Sequence, residues 1–232
     1  MTFKYYLIAF LAFSQAVPFQ GIWREYHVNR TIGSDQNKGD AQHPLKTIQA
    51  AAERVQPGDE VIVHTGIYRE QVSPVRGGTE KQPIIFRAAP GEKVEIKGSE
   101  VMKGWKHIDR HTWMIKIPNS FFGTFNPYAD TIHGDWLERG KWSHTGEVYL
   151  NGKQLKEVTS LDSLVFTGHN QPFWFTKVEQ DTTFIWANFI GHNPNQQNVE
   201  INVRQTVFYP NKPFVNYIHV KGFHMSHAAT PW

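Results

Sequence analysis

Val94-Glu95-Ile96-Lys97-Gly98 is a short apolar strand closed by Lys-Gly, and far downstream Tyr217-Ile218-His219-Val220-Lys221-Gly222-Phe223-His224-Met225 repeats the strand-Lys-Gly pattern. A strand-turn unit that returns in this way is what stacked rungs leave in a sequence. Both stretches are therefore read as rungs of one right-handed parallel β-helix. Working outward, Val61-Ile62-Val63 and Pro83-Ile84-Ile85-Phe86 are further compact strands, each followed by a turn. One stretch breaks the texture: Ile48, Ala51, Ala52 and Val55 recur at helical spacing behind Thr47, a residue able to cap, and Pro57-Gly58-Asp59 ends the run. A single short helix ahead of many short strands suits the covering of a first, otherwise open rung.

Between the two echoes the texture changes. Trp105, Trp113, Trp136, Trp142, Trp174 and Trp186 fall there, leaving Trp23 and Trp232 outside. Thr112-Trp113-Met114-Ile115-Lys116-Ile117, Thr183-Phe184-Ile185-Trp186-Ala187 and Val199-Glu200-Ile201-Asn202-Val203 alternate at period two, as half-buried antiparallel strands do. Asn151-Gly152, between Val148-Tyr149-Leu150 and Gln154-Leu155, is a hairpin turn signal. The expected architecture is all-β: a capping helix and first β-helix rungs over 24–99, an inserted β-sandwich over 100–212, and a resumed, cut-short β-helix over 213–232.

The chain has 232 residues, enough for a sizeable core, and no cysteine, which removes disulfide scaffolds, Cys-ligated zinc and thiol nucleophiles. A formal charge of +3 arises from scattered residues with no basic tract, so nucleic acid is not an expected partner. Aromatic residues make up 14% of the chain, a richness that suits carbohydrate binding. Lys4 followed by the apolar run Tyr5 to Phe13 and by Ser14-Gln15-Ala16 has the form of a secretory signal cleaved after Ala16. The run is too short to span a bilayer. The expectation is a signal peptide over 1–16, a secreted or periplasmic protein, and no membrane association of the mature form.

The stretches Gly33-Ser34-Asp35, Gly66-Ile67-Tyr68-Arg69-Glu70 and Gly91-Glu92-Lys93-Val94 resemble the start of right-handed β-helix carbohydrate enzymes in general. Pro118-Asn119-Ser120-Phe121-Phe122-Gly123, Phe125-Asn126-Pro127-Tyr128, Gly134-Asp135-Trp136-Leu137, Val148-Tyr149-Leu150-Asn151-Gly152, Glu200-Ile201-Asn202-Val203-Arg204 and His227-Ala228-Ala229-Thr230-Pro231-Trp232 are more specific. Together they resemble glycoside hydrolase family 120, the β-xylosidases. The resemblance implies a parallel β-helix with a β-sandwich inserted after its first rungs, and retaining hydrolysis of xylo-oligosaccharides by a nucleophilic carboxylate and an acid/base carboxylate. It implies no cofactor, and allows a homo-oligomer for a full-length protein. In the family both carboxylates lie on rungs beyond the segment matching His227 to Trp232. The expectation is thus an N-terminal portion that is inactive alone, with no catalytic residue of its own.

Trp136 is the first candidate for substrate contact, through an indole face on a sugar ring or else as a core residue. His224, His227 and Trp232, with His219 nearby, are candidates to line the cleft; His-x-x-His on a strand, with no third ligand evident, argues poorly for metal. Asp35, Asn37 and Asp40 lack the fifth and twelfth ligands of a calcium loop, where Gly39 and Lys46 stand, and read as a polar turn. Gly66 and Gly77-Gly78 lack the Lys-Ser/Thr of a phosphate loop. Asp130, Asp135, Glu138 and Glu147 remain as acid/base candidates if the family reading fails. Two other functions stay open: a polysaccharide lyase on the same fold, or a non-catalytic carbohydrate-binding or surface module.

Overall fold

The computed structural model describes residues 23–134, 143–166, 171–210 and 212–230. The signal peptide expected over 1–16 lies outside the described residues, as do Asp135, Trp136, Glu138 and Trp232. In chain order the strands begin with β1 (Glu25–Val28), β2 (Glu60–Val63), β3 (Gly66–Tyr68), β4 (Ile84–Ala88) and β5 (Val94–Lys97). Next come β6 (Ser99–Val101), β7 (Lys106–Asp109), β8 (Thr112–Pro118), β9 (Val148–Leu150), β10 (Lys153–Gln154) and β11 (Lys156–Glu157). The last are β12 (Phe173–Glu179), β13 (Thr182–Asn188), β14 (Val199–Asn202), β15 (Ile218–Lys221) and β16 (Phe223–Ser226). Two short α-helices, α1 (Ile48–Arg54) and α2 (Leu161–Phe166), accompany them, so the chain is all-β in class. No helix among the described residues is long and apolar enough to cross a membrane.

The strands gather into parallel and antiparallel groups. The order β1-β2-β4-β15 is parallel throughout, as is β3-β5-β16. The chain thus makes the same two-strand corner three times, as β2/β3, β4/β5 and β15/β16, in three tiers. Each tier turns alternate residues inward onto those of its neighbours: Val61 stacks on Phe86 and Phe86 on Val220, while Tyr68 stacks on Ile96 and Ile96 on Met225. Val61, Phe86, Tyr68 and Ile96 are fully buried in one hydrophobic core. The echo read in the sequence is real but displaced. Ile218–Lys221 lies on β4, and it is Phe223–Ser226 that sits in register with Val94–Lys97. Strand composition alone does not distinguish the two strands of a tier, which is why the echo slips by one strand.

Helix α1 covers this core with Ile48, Ala51 and Ala52. Thr47 is its N-cap, with an extended backbone and a hydroxyl that accepts from the Ala50 N–H at 3.1 Å. The Glu70 carboxylate accepts from the N–H groups of Ile48 and Gln49, satisfying two more of the first-turn donors. The polar turn ahead of the helix is held by its own acids: Asp35 accepts from the Lys46 and Thr47 N–H groups and Asp40 from that of His43.

After β5 the chain leaves the tiers. The sheet β10-β9-β14-β6 is antiparallel, and β11-β12-β13-β8-β7 is antiparallel except for the parallel β11–β12 pair, which α2 connects. Both sheets contribute to a second core, with Val148, Val199 and Ile201 from one and Ile115, Ile117, Trp174, Ile185 and Ala187 from the other. The arrangement is sandwich-like. Its hairpin turns at Asn151 and Gly152, with φ of 50° and 80°, the left-handed pair that matches strand twist. After β14 the chain rejoins the tiers through a parallel bridge from Val72 to Phe208.

Because the Thr47 hydroxyl occupies a donor that would otherwise lose its partner, Thr47→Ala is expected to cost about 1 kcal/mol of stability. A denaturant midpoint lowered at unchanged slope would show it.

Candidate functional site

The outward faces of β3, β5 and β16 form the floor of the site. Alternation places Ile67, Glu95 and His224 in one register row across the three tiers. A groove of about 460 Å³ runs over this row, lined also by Thr65, Glu92 and Lys93. The Glu95 carboxylate accepts from the Ser226 hydroxyl at 2.9 Å and lies 3.6 Å from Lys97 Nζ and 3.8 Å from His224 Nε2. The His224 side chain is 74% exposed, free to meet a ligand in the groove.

Further along the strands, two residues beyond the row on β3 and β5 and three on β16, the surface turns basic and is covered by the inserted sheet. Arg69, one residue past β3, Lys97 at the end of β5, and His227, one residue past β16, converge on the carboxylate of Glu200 in β14. Arg69 Nη2 donates to Oε1 at 3.0 Å, and Lys97 Nζ reaches both oxygens at 3.1 and 3.2 Å. The hydroxyl of Ser99 donates at 2.7 Å and the amide of Asn198 at 2.8 Å. His227 Nδ1 lies 3.0 Å from Oε2. An ionised carboxylate only accepts, so this nitrogen carries the proton in the arrangement. The imidazole of His227 stacks on the Tyr149 ring at 3.7 Å and 7°.

Burial by itself would raise the pKa of Glu200. The hydrogen bonds from His227, Arg69, Ser99 and Asn198 outweigh it and hold the carboxyl well below the usual range. Glu147 is the opposite case. It precedes β9 and by alternation shares the Tyr149 face; burial, with Glu157 adding repulsion against a hydrogen bond from Gln154, pushes its carboxyl up to about 7. Two carboxyls on one face of one sheet are thus shifted in opposite directions, Glu200 downward by its hydrogen-bond donors and Glu147 upward by burial.

The structure brings His224 and His227 to the same face but to different tasks: His224 opens onto the groove, while His227 is 12% exposed and spent on Glu200 and Tyr149. His219 projects from β15, exposed. Among the described residues no three His, Cys, Asp or Glu gather in a way that could hold a metal ion. Asp130 accepts from the Thr145 hydroxyl. Arg69, Lys97 and Glu200 were quoted as motif or strand residues in the sequence but not as site residues. Glu200 stands in the outward phase of Val199-Glu200-Ile201-Asn202, which reads as solvent-facing. Only the meeting of the inserted sheet with the tiers makes that phase a second interior.

The chain is thus all-β, with a groove over the outward face of its stacked parallel strands and a sandwich inserted between them. Residues 102–173 and 165–201 match the family model described as the insertion domain of glycoside hydrolase 120, and residues 43–106 match that of chondroitinase B. The solved complex of XylC with xylose shares 43% identity with a TM-score of 0.85, across 90% of this chain and 36% of that one. The pectate lyase PEL9 of Emericella nidulans is 26% identical over 151 residues, 58% of this chain and 36% of its own. The protein YwoF of Bacillus subtilis is 38% identical over 69 residues, 30% of this chain and 15% of its own. This chain therefore spans little more than a third, at most, of any of these relatives. The family it resembles is glycoside hydrolase 120: the family model matches the inserted sandwich, and the likeness to XylC extends over the tiers as well.

Glu147 gives the site a pH signature. Between the ordinary value of 4.5 and about 7 the folded chain keeps a proton there that the unfolded chain releases. The native state binds more protons in that window, so this residue's contribution to stability falls as pH rises through it. Glu147→Gln is expected to flatten the melting temperature across that window and to make the variant the more stable at alkaline pH. Parallel wild-type and variant profiles would contradict the assignment.

Proposed function

We propose that the chain contributes the first tiers and the inserted domain of a secreted, retaining β-xylosidase acting on the ends of xylo-oligosaccharides. In this reading the tiers over 24–99 and 213–232 are rungs of a right-handed parallel β-helix, and 100–212 is the inserted β-sandwich. The parallel register of the tiers and the hydrophobic core inside them support the helix, and the sandwich-like pair of sheets supports the insert. The observation that carries the substrate is the 43% identity with XylC, a protein solved with xylose, over 90% of this chain.

Xylose offers no charge, only hydroxyls and an apolar ring face. Glu95 and His224 supply an acceptor and a donor for neighbouring hydroxyls on the groove floor. Trp136 and Trp232 are assigned to the ring face, where an indole stacks on sugar C–H groups. A retaining glycosidase also needs two carboxyls about 5–5.5 Å apart, one deprotonated to attack the anomeric carbon and one protonated to give the leaving oxygen its proton. We assign that pair to no residue of this chain, and turnover to the whole protein.

The test is titration of the purified chain with xylose and xylobiose beside an aryl β-xyloside assay. Saturable binding, weakened about tenfold by Glu95→Gln or His224→Ala, as expected for a hydrogen bond to a ligand, with no aryl release, is the expected outcome. Release of the aryl group would place a catalytic pair within the chain, and absence of binding would remove the xyloside reading. The chondroitinase B and PEL9 matches favour a second reading, a polysaccharide lyase. A rise in ultraviolet absorbance on uronate polymers, from unsaturated products, would select it.

A further inference from the structure

The five-stranded sheet of the insert has two faces. One packs into the second core through Ile115, Ile117, Trp174, Ile185 and Ala187. Strand alternation gives the other face to the residues between them. The registers set these in rows: Lys177, Phe184 and Lys116 on β12, β13 and β8, beside Phe175, Trp186, Met114 and Lys106 on β12, β13, β8 and β7. Lys156 enters the same phase from β11. All of these lysines are exposed and the three rings are half-buried. Of the acids in this phase, Glu179 is ion-paired with Lys177, and Asp109 stands beyond the bulge of the edge strand β7. The sequence shows no basic tract because these lysines come from four different strands. The rings lie close together: Phe184 and Trp186 are 5.7 Å apart at 16°, and Trp186 and Phe175 5.8 Å apart at 32°. Lys116 Nζ lies over the Phe184 ring, 5.2 Å from its centre, a place that an exposed ammonium reaches when that ring face is turned outward. Beside Phe184 opens a hollow of about 490 Å³ lined also by Glu179, Gln180 and Thr182. Asn119 fixes its rim, donating from its side-chain amide to the Gln180 carbonyl at 3.1 Å and from its N–H to that of Asp181 at 2.7 Å.

We propose that this face of the insert is a second binding surface, separate from the groove on the tiers, for an acidic polysaccharide: a chain of pyranoses that bears carboxylates. A pyranose needs a flat apolar surface for its C–H face and hydrogen-bonding groups around its edge. Phe184 supplies the first, and Thr182 and Gln180 supply the second. The lysines carry the argument for charge and against a protein partner. Lysine is depleted in protein interfaces, whereas ammonium groups spread across a sheet suit carboxylates spaced along a flexible chain. Their stems can lie along the rings while the charges stay in water, as Lys116 does over Phe184. The proposal rests on the carbohydrate reading given above and adds a surface that holds the protein on a polymer while the groove receives chain ends.

The experiment titrates the purified chain with glucuronoxylan and with the same polymer after its carboxyls are reduced to alcohols. The acidic polymer is expected to bind about fivefold more tightly or better, and the difference to vanish at high salt, where exposed charges are screened. Phe184→Ala should weaken binding of both polymers by a similar factor. Lys116→Gln combined with Lys177→Gln, both at exposed positions, should abolish the preference for the acidic polymer and leave the weaker binding of the reduced one. If Phe184→Ala does not fold, the lysine pair still decides, since an unchanged preference in that variant overturns the proposal. Equal binding of the two polymers by the wild type, or binding of neither, overturns it as well. So does binding of duplex DNA as tight as that of the acidic polymer, which would mean attraction of any polyanion without recognition of a sugar ring. Xylose titration is the separate readout for the groove: Phe184→Ala should bind xylose as the wild type does. Loss of xylose binding in both would count against the groove and leave the polymer result to judge this face.

Discussion

One buried carboxylate fixes how this molecule is assembled. Taking the charge of Glu200 out of water costs several kcal/mol, and the loss is recovered only if its partners are all present and well placed. Those partners are Arg69, Lys97 and His227 from three tiers and Ser99 and Asn198 from the segments that enter and leave the insert. The insert can therefore sit in one orientation on the tiers, the one that brings β14 over the ends of β3, β5 and β16. Hydrophobic burial would tolerate a range of docking angles. A bidentate ion pair with four further hydrogen-bonding partners does not.

The same requirement explains what could and could not be read in advance. Local signals were legible because their physics is local: Thr47 caps the helix that begins one residue later, and Asn151-Gly152 turns the hairpin between β9 and β10. Period-two alternation located β8, β13 and β14. The same alternation hid the cluster, since it marks Glu200 as outward without saying what lies outside, and Arg69 and Lys97 are more than a hundred residues away along the chain. The tryptophans of the inserted segment divide in a similar way. Trp105 and Trp174 are core residues of the sandwich, so aromatic richness there is in part packing and not sugar contact.

The two family-model matches divide along the same line, whereas the likeness to XylC spans 90% of the chain. The tiers match a lyase model and the insert a glycoside hydrolase model. Stacked parallel tiers are a scaffold on which several chemistries can be mounted, so likeness confined to them identifies architecture more than reaction. The insert adds its own face to the scaffold, setting Tyr149 and Glu200 against the tier corner.

That meeting depends on close backbone approach as much as on charge. Gly98 opens the excursion from β5 into the insert, and a Cβ there would lie 2.4 Å from the carbonyl oxygen of His227. His227 itself takes φ of 56°, in the left-handed region that side chains usually avoid. The strain of that conformation is offset by what it achieves: the imidazole turns out of the path of β16 to donate to Glu200 and lie flat on Tyr149. A larger residue at 98 would push the third tier away from the root of the insert, and His227 would lose both partners together. The glycine, the left-handed histidine and the buried glutamate thus form one device, in which backbone proximity permits the ion-pair network and the network holds the backbone in place.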